Sequence, residues 1–135
     1  MAKSRILLDT NVLVSAYVSG GKPRRLLEAA EAGRFTLISS VHIVNELADV
    51  LCRPRFHPDE DDVATFVEEL TELADIVAVE AADHGECRDA DDQAVLLAAV
   101  LGKADVIVTG DHDLLELRDP PMPIVTVDAM LQRLG

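Results

Sequence analysis

The sequence predicts a three-layer α/β/α fold built on a parallel sheet of four or five strands. Short apolar runs of strand length alternate along the chain with longer segments of helical periodicity, an order typical of parallel sheets. The strand candidates are almost continuously apolar, as expected for strands covered on both faces. Hydrophobic residues make up 49% and aromatic residues only 3% of the 135 residues, so aliphatic side chains must build the core. The length fits a single domain over residues 1–135.

The first predicted strand spans residues 5–8 and delivers Asp9 at its carboxyl end. Thr10 and Asn11 follow as typical cap residues of the first helix. A second helix is predicted over 23–32, where a proline fits the first turn and a glycine follows the last apolar position. Asp9 could serve simply as a helix cap, or as the first member of an acidic site.

The second predicted strand, 35–38, leads into a helix over 41–53 that Ser39 or Ser40 can cap. Apolar residues of this helix fall on one face, and Glu46 lies at the edge of that face. We therefore expect the Glu46 carboxylate to lean toward the protein rather than out to solvent.

Acidic residues at 59–62 open a fourth helix, because carboxylates stabilise the positive end of the helix dipole. Apolar residues continue the core face of this helix to Leu73. A third strand is predicted over 76–79, where the sequence is again apolar.

Three carboxylates, those of Asp89, Asp91 and Asp92, precede an apolar run at 94–101 that is rich in helix-forming residues. The run is too long for a typical strand and predicts a buried helix that Gly102 ends. An ordinary helix cap explains one of the three acids, and the others need another explanation.

The fourth predicted strand, 106–109, is a β-branched run, and Asp111 and Asp113 lie just past its carboxyl end. Ligands bind at that end of the strands in open α/β sheets, so these acids are candidates for a site. A last strand over 124–127 is followed by Asp128, a candidate cap of the terminal helix.

Charge and cysteine content limit the class of protein. A formal net charge of −13 argues against generic binding to nucleic-acid phosphates, but a carboxylate site is neutralised when divalent metal binds. Cys52 and Cys87 form no zinc-like pair, and we expect both to be reduced. The first residues lack the pattern of a signal peptide, and no apolar run is long enough to cross a bilayer, so a soluble, cytoplasmic protein without membrane contact is expected.

Four acids follow the predicted strands at corresponding places in the topology. Because the carboxyl ends of parallel strands lie at one edge of a sheet, we expect these acids to converge there. Such a cluster repels itself unless it holds protons or cations, and a set of oxygen ligands favours Mg²⁺ or Mn²⁺ over zinc. The usual chemistry of such a site is phosphodiester cleavage by metal-activated water. The four acids are Asp9, Glu46, Asp92 and Asp111.

The same residues resemble the PIN-domain family, particularly the small VapC-type toxins of prokaryotes. The matching segments are LLDTNVLVSA at 7–16, SSVHIVNEL at 39–47, RDADDQAVLLAA at 88–99 and VTGDHDLL at 108–115. The resemblance implies a Mg²⁺- or Mn²⁺-dependent endoribonuclease, often the toxin of a toxin–antitoxin pair and often a homodimer. By position, it implies metal binding by Asp9, Glu46, one of Asp91 and Asp92, and Asp111, with Asp113 accessory.

The resemblance also implies supporting roles. Asp92 is favoured over Asp91 because it directly precedes the buried helix, as the third acid of the family does. Asn11 and Thr109 match family positions that support the site through hydrogen bonds. The basic residues that could offset the acidic surface along an RNA path are Lys22, Arg24, Arg25, Arg53, Arg55 and Arg88.

Other classes fit the sequence less well. A receiver domain needs a lysine after its last strand, and no lysine follows Lys103. A haloacid-dehalogenase-type phosphatase needs a second aspartate where Asn11 stands, and the glycine-rich loops of nucleotide-binding proteins are absent. The main alternative to an enzyme is a PIN-like fold that is catalytically silent and binds nucleic acid or protein.

Overall fold

The protein forms one parallel sheet of five strands. The computed structural model describes the backbone of residues 3–79 and 87–135 and the side chains of 3–79 and 92–135. All neighbouring strands pair in parallel, in the order β3-β2-β1-β4-β5, which confirms the expected sheet. The strands are β1 (Arg5–Leu8), β2 (Thr36–Ser40), β3 (Asp75–Val77), β4 (Val106–Val108) and β5 (Ile124–Val125).

Helices cover the sheet and complete the predicted three-layer α/β/α fold. A short 3-10 turn spans Pro54–Phe56 between the third and fourth helices. In the part of the chain that the structure describes, no helix is long and apolar enough to cross a membrane. The helices are α1 (Thr10–Val18), α2 (Gly21–Glu31), α3 (Val41–Leu51), α4 (Glu60–Leu73), α5 (Cys87–Leu101), α6 (His112–Leu115) and α7 (Val127–Leu134).

The core is aliphatic, as the composition requires. Ile6, Leu7 and Leu8 of β1 are fully buried, because this strand lies at the centre of the sheet with helices over both faces. Gly102 follows α5 where the helix comes close to the sheet. A Cβ placed there would lie 2.6 Å from Ile38 Cγ2, so a larger residue would push the helix away from β2.

The strand order places a topological switch at β1. The chain moves from β1 outward to β2 and β3, and then returns to the other side of β1 to form β4 and β5. Connections therefore leave the carboxyl ends of β1 and β4 in different directions and open a crevice between them. Asp9 directly follows β1, and Thr109 directly follows β4.

Helix ends follow the expectations only in part. The N-cap of α1 is Asp9, whose side chain accepts from Thr10 N, so the alternative that Asp9 caps this helix is confirmed and Thr10 and Asn11 are not its caps. Thr126, not Asp128, caps α7 by accepting from Ala129 N. The helix α5 begins at Cys87, so Asp92 lies inside its second turn and does not precede it. Asp91 also lies within α5, and its side chain is outside the described residues.

Candidate active site

A cavity of about 450 Å³ opens at the carboxyl edge of the sheet. The four acids expected to converge all line it, although they come from separate parts of the chain. Asp113 lines the same cavity, and so do two arginines near the 3-10 turn. We call this cavity the acid cleft. Among the described side chains, its charged residues are Asp9, Glu46, Arg53, Arg55, Asp92, Asp111 and Asp113.

Asp9 is the most buried of these acids, with 7% of its surface exposed. Its Oδ2 accepts hydrogen bonds from Thr109 Oγ1 at 2.8 Å and from Asn11 Nδ2 at 3.2 Å, and its Oδ1 accepts from Thr10 N at 2.8 Å. Burial raises the pKa of Asp9 above its ordinary value, and the bond from Thr109 opposes that effect. Asp9 is therefore held in one orientation by donors that favour its charged form.

The turn after β4 is fixed to the turn after β1. Thr109 Oγ1 accepts a hydrogen bond from Asp111 N at 3.0 Å while it donates to Asp9, so one hydroxyl connects the two acids. Asn11 Oδ1 accepts from Gly110 N at 3.0 Å. Asp111 also caps the short helix α6 by accepting from Asp113 N at 2.9 Å. These bonds set the position of Asp111 relative to Asp9.

Asp92 reaches the acid cleft from α5 and shares it with other negative charges. Burial, the charge of Asp111 and a hydrogen-bond contact with the Asp111 carboxyl raise the pKa of Asp92 to about 6, with smaller contributions from Asp9 and Asp113. A hydrogen bond between two carboxyl groups requires a proton on one of them. Without a bound cation, the cluster therefore tends to take up a proton.

Glu46 lies on α3 with its side chain 36% exposed, which agrees with the expectation that it leans toward the protein. Its Oε2 lies 3.2 Å from His42 Nε2, one helical turn earlier. His42 contacts an acid of the cleft without lining the cleft itself, and the sequence patterns did not single it out. The signal that could have found it is the i, i+4 spacing between a histidine and a candidate acid on the same helix.

The chemistry of this donor set fits a divalent cation. All the converging donors are carboxylate oxygens, which suit Mg²⁺ or Mn²⁺, and Mg²⁺ often binds through only one or two carboxylates and several waters. Among the described side chains, however, no three of the types His, Cys, Asp and Glu are grouped closely enough to hold one ion. Asp92 and Asp111 are close enough to affect each other's ionisation, since Asp111 raises the pKa of Asp92.

The remaining candidates lie in different places. Arg53 and Arg55 line the acid cleft, and the Arg55 guanidinium lies 4.7 Å from the centre of the Phe56 ring. Lys22, Arg24 and Arg25 line a separate groove at the start of α2. The side chain of Arg88 is outside the described residues.

A parallel α/β/α fold with carboxylates gathered at its carboxyl edge is compatible with a nuclease domain, and the comparison with known families identifies the family. The family profile described as PIN domain matches residues 5–113. The chain belongs to the PIN-domain family, whose members are generally nucleases that use divalent metal ions.

One protein of similar sequence and two solved structures of the same fold resemble the chain. The chain is 28% identical over 120 residues to the uncharacterized protein MJ1680 of Methanocaldococcus jannaschii, covering 87% of this chain and 77% of that protein. It superposes on a chain of the VapBC2 structure of Rickettsia felis, which is bound to a promoter DNA fragment, with a TM-score of 0.60 and 16% identity. The superposition covers 90% of this chain and 98% of that chain. For PAE2754 of Pyrobaculum aerophilum the TM-score is 0.65 with 14% identity, and the superposition covers 97% of this chain and 89% of that chain. These two structures share the fold.

Proposed function

We propose that this PIN domain is a Mg²⁺- or Mn²⁺-dependent endoribonuclease. The observation that carries the proposal is the convergence of Asp9, Glu46, Asp92 and Asp111 on one cavity at the switch point of the sheet. Mutual repulsion makes such a cluster costly unless it binds cations. A catalytic use offsets that cost, whereas a purely structural role would favour neutral residues.

The residues of the chain have distinct roles in this proposal. Asp9, Glu46, Asp92 and Asp111 would hold the metal, with Asp113 as an accessory ligand and Asp91 as the alternative to Asp92. Asn11 and Thr109 orient Asp9 through the bonds described above. When bound, a divalent ion supplies the positive charge that activates water and stabilises the leaving oxygen of a phosphodiester.

Arg53 and Arg55 are the proposed phosphate-binding residues of the acid cleft. Among the described residues they are the two basic side chains that line it, and arginine binds phosphate oxygens in a bidentate manner. They place positive charge where the net charge of −13 would otherwise repel RNA.

Degradation of labelled total RNA tests this function. Wild-type protein should degrade RNA with Mn²⁺, stop in EDTA and recover when Mn²⁺ is added in excess. Asp111→Asn should lose nearly all activity. Asp49→Asn removes the same charge from an exposed position on α3 and should keep wild-type activity. Equal degradation by wild type and Asp111→Asn would mean that another nuclease is present in the sample.

A catalytically silent binding module is the second candidate function. It is favoured by the absence, among the described side chains, of three acidic, histidine or cysteine groups arranged around one ion. A binding module would retain RNA in a mobility-shift assay and leave it intact with Mn²⁺. Cleavage by the wild type that Asp111→Asn abolishes would exclude this candidate.

We also propose that the protein is the toxin of a toxin–antitoxin pair and that a basic, amphipathic antitoxin segment binds it. A groove of about 430 Å³ between α2 and α4 has an apolar floor and three glutamates at its rim, which complements such a segment. A short open reading frame beside the gene whose product co-purifies with this protein is the expected result. The groove is lined by Leu27, Glu31, Phe66, Glu69, Leu70, Glu72 and Leu73.

A homodimer in the cytoplasm completes the proposal. Leu97, Val100 and Leu101 of α5 are 48–58% exposed, and their spacing places them on one side of the helix. An exposed apolar cluster of this kind is typical of an interface. A second copy of the chain would cover it.

A further inference from the structure

A second cavity, of about 480 Å³, lies directly beside the acid cleft. Asn11 and Ser15 line both cavities, so the two share a wall. Asn11 is fixed in this wall, because its Nδ2 donates to Asp9 and its Oδ1 accepts from Gly110. Unlike the acid cleft, the second cavity has apolar walls, to which Leu115 and Val127 contribute. We call it the side pocket.

Polar side chains also line the side pocket. Lys22 Nζ lies 2.8 Å from Asp128 Oδ1, and these side chains are 59% and 65% exposed. A surface ion pair with this exposure is weak, so Lys22 can exchange Asp128 for a phosphate. The imidazole of the exposed His112 and the hydroxyl of Ser15 add hydrogen-bonding groups. The pocket thus combines apolar walls, hydrogen-bonding side chains and one lysine that can exchange its carboxylate partner for a phosphate.

Lys22 also connects the side pocket to a groove at the start of α2. That groove, of about 410 Å³, is lined by Lys22, Arg24 and Arg25. The three cavities are neighbours, because Asn11 and Ser15 line both the acid cleft and the side pocket, and Lys22 lines both the side pocket and this groove. Together with Arg53 and Arg55 of the acid cleft, five of the 12 lysines and arginines line these neighbouring cavities.

We propose that the side pocket is a base-binding subsite for single-stranded RNA, on the assumption that the acid cleft cleaves RNA as proposed above. The base of a nucleotide next to the scissile phosphate lies between the apolar walls, with its polar edge toward Ser15 and His112. The backbone runs from Arg53 and Arg55 across the acids and past Lys22 to Arg24 and Arg25.

The position of the pocket favours single strands. A base can turn into a surface pocket beside the scissile phosphate only when it is unstacked and unpaired, which costs little in a single strand and much in a duplex. A volume of about 480 Å³ lies within the range of ordinary small-ligand sites and accommodates one nucleoside. Contacts to the base edge would then determine the preferred nucleotide at the cleavage site.

The test is a titration of ¹⁵N-labelled protein in EDTA with short single-stranded RNA oligonucleotides of uniform sequence, followed by NMR. The largest shifts should fall on the amides of His112, Leu115 and Val127. Leu115→Trp fills the pocket and should weaken binding of the preferred oligonucleotide about tenfold. Lys22→Gln should lower the slope of log affinity against log salt by about 0.7, the contribution of one phosphate contact to a single strand.

Two controls accompany the titration. Lys3→Gln removes the same charge as Lys22→Gln from an exposed residue before β1, and it should bind like the wild type. An RNA hairpin stem should leave the side-pocket amides unshifted. Thermal unfolding of each variant verifies that it is folded. If Leu115→Trp does not fold, Lys22→Gln serves as the second probe of the pocket.

The subsite and the proposed function can fail separately. Shifts that fall elsewhere, the absence of any oligonucleotide binding, or equal binding by wild type and both pocket variants would overturn the subsite. RNA cleavage with an unchanged cut pattern in Leu115→Trp would also overturn it and leave the nuclease proposal standing. Oligonucleotide binding in the side pocket without Mn²⁺-dependent cleavage by the wild type would uphold the subsite and overturn the nuclease function.

Discussion

Replacing Asp92 by asparagine should stabilise the metal-free protein at neutral pH. In the folded state the pKa of Asp92 is raised from 3.8 to about 6, first by burial and then by Asp111. A pKa difference of about two units corresponds to about 3 kcal/mol of unfavourable free energy for the charged form. Asp92 is partly exposed, so solvent screening reduces the expected gain to about 1 kcal/mol. That gain corresponds to a rise in Tm of about 4 °C for a domain of this size.

The pH dependence has a definite sign. Because the folded state holds the Asp92 proton more tightly than the unfolded state, the free energy of unfolding falls as pH rises from about 4 to about 6. The asparagine side chain of the variant does not titrate, so the advantage of Asp92→Asn should be full at pH 7.5 and nearly absent at pH 4. Its amide can still donate a hydrogen bond to Asp111, so the contact between these side chains is kept.

Thermal unfolding in EDTA at pH 4, 5, 6 and 7.5 measures both quantities. Asp49→Asn is the matched control, since it removes one negative charge from an exposed position outside the acid cleft. It should change Tm little, and equally at every pH. A lower Tm for Asp92→Asn at pH 7.5, or a difference that does not shrink toward pH 4, would refute the view that repulsion dominates at Asp92.

Three further predictions concern the metal, the hydrogen bonds and the apolar surface. Mn²⁺ at about 100 times its Kd should raise the free energy of unfolding of the wild type by about 2.7 kcal/mol, measured by thermal unfolding. Asp9→Asn should lose most of this stabilisation. Equal stabilisation of wild type and variant would mean that the ion binds elsewhere. Thr109→Val removes the hydroxyl that joins Asp9 to Asp111, and urea unfolding should show a loss of about 1–3 kcal/mol, whereas an unchanged midpoint would make that bond dispensable. Leu101→Glu should convert a dimer to a monomer in sedimentation; a monomeric wild type would contradict the proposed interface.

Local sequence patterns predicted the strands and the sheet type well, because a strand buried on both faces must be apolar at every position. The run at Arg5–Leu8 forms a strand with the expected bounds, and the acid that follows it lies at the carboxyl edge. The convergence of Asp9 and Asp111 could also be expected, because each follows a parallel strand and the carboxyl ends of parallel strands lie at one edge of the sheet. Helix ends were harder, because capping depends on which side chain reaches the free N–H groups.

Features that arise from non-local packing could not be predicted. The periodicity of a strand does not reveal its neighbours, so the sequence could not show that β1 lies between β2 and β4. The bond from Gly110 N to Asn11 Oδ1 depends on that adjacency. The side pocket depends on non-local packing as well, because its lining residues Asn11, Lys22, His112 and Val127 come from elements far apart in the sequence.

The most direct test of the central claim is the chemistry of the cut ends. A defined single-stranded RNA is digested by the wild type with Mn²⁺, the cut is mapped, and a matched strand with 2′-deoxyribose at that position is digested beside it. Direct attack by water on phosphorus needs no 2′-hydroxyl. The predicted result is cleavage of both strands at the same bond, with 5′-phosphate and 3′-hydroxyl ends, and none by Asp111→Asn. A 2′,3′-cyclic phosphate, or resistance of the 2′-deoxy strand, would contradict the account.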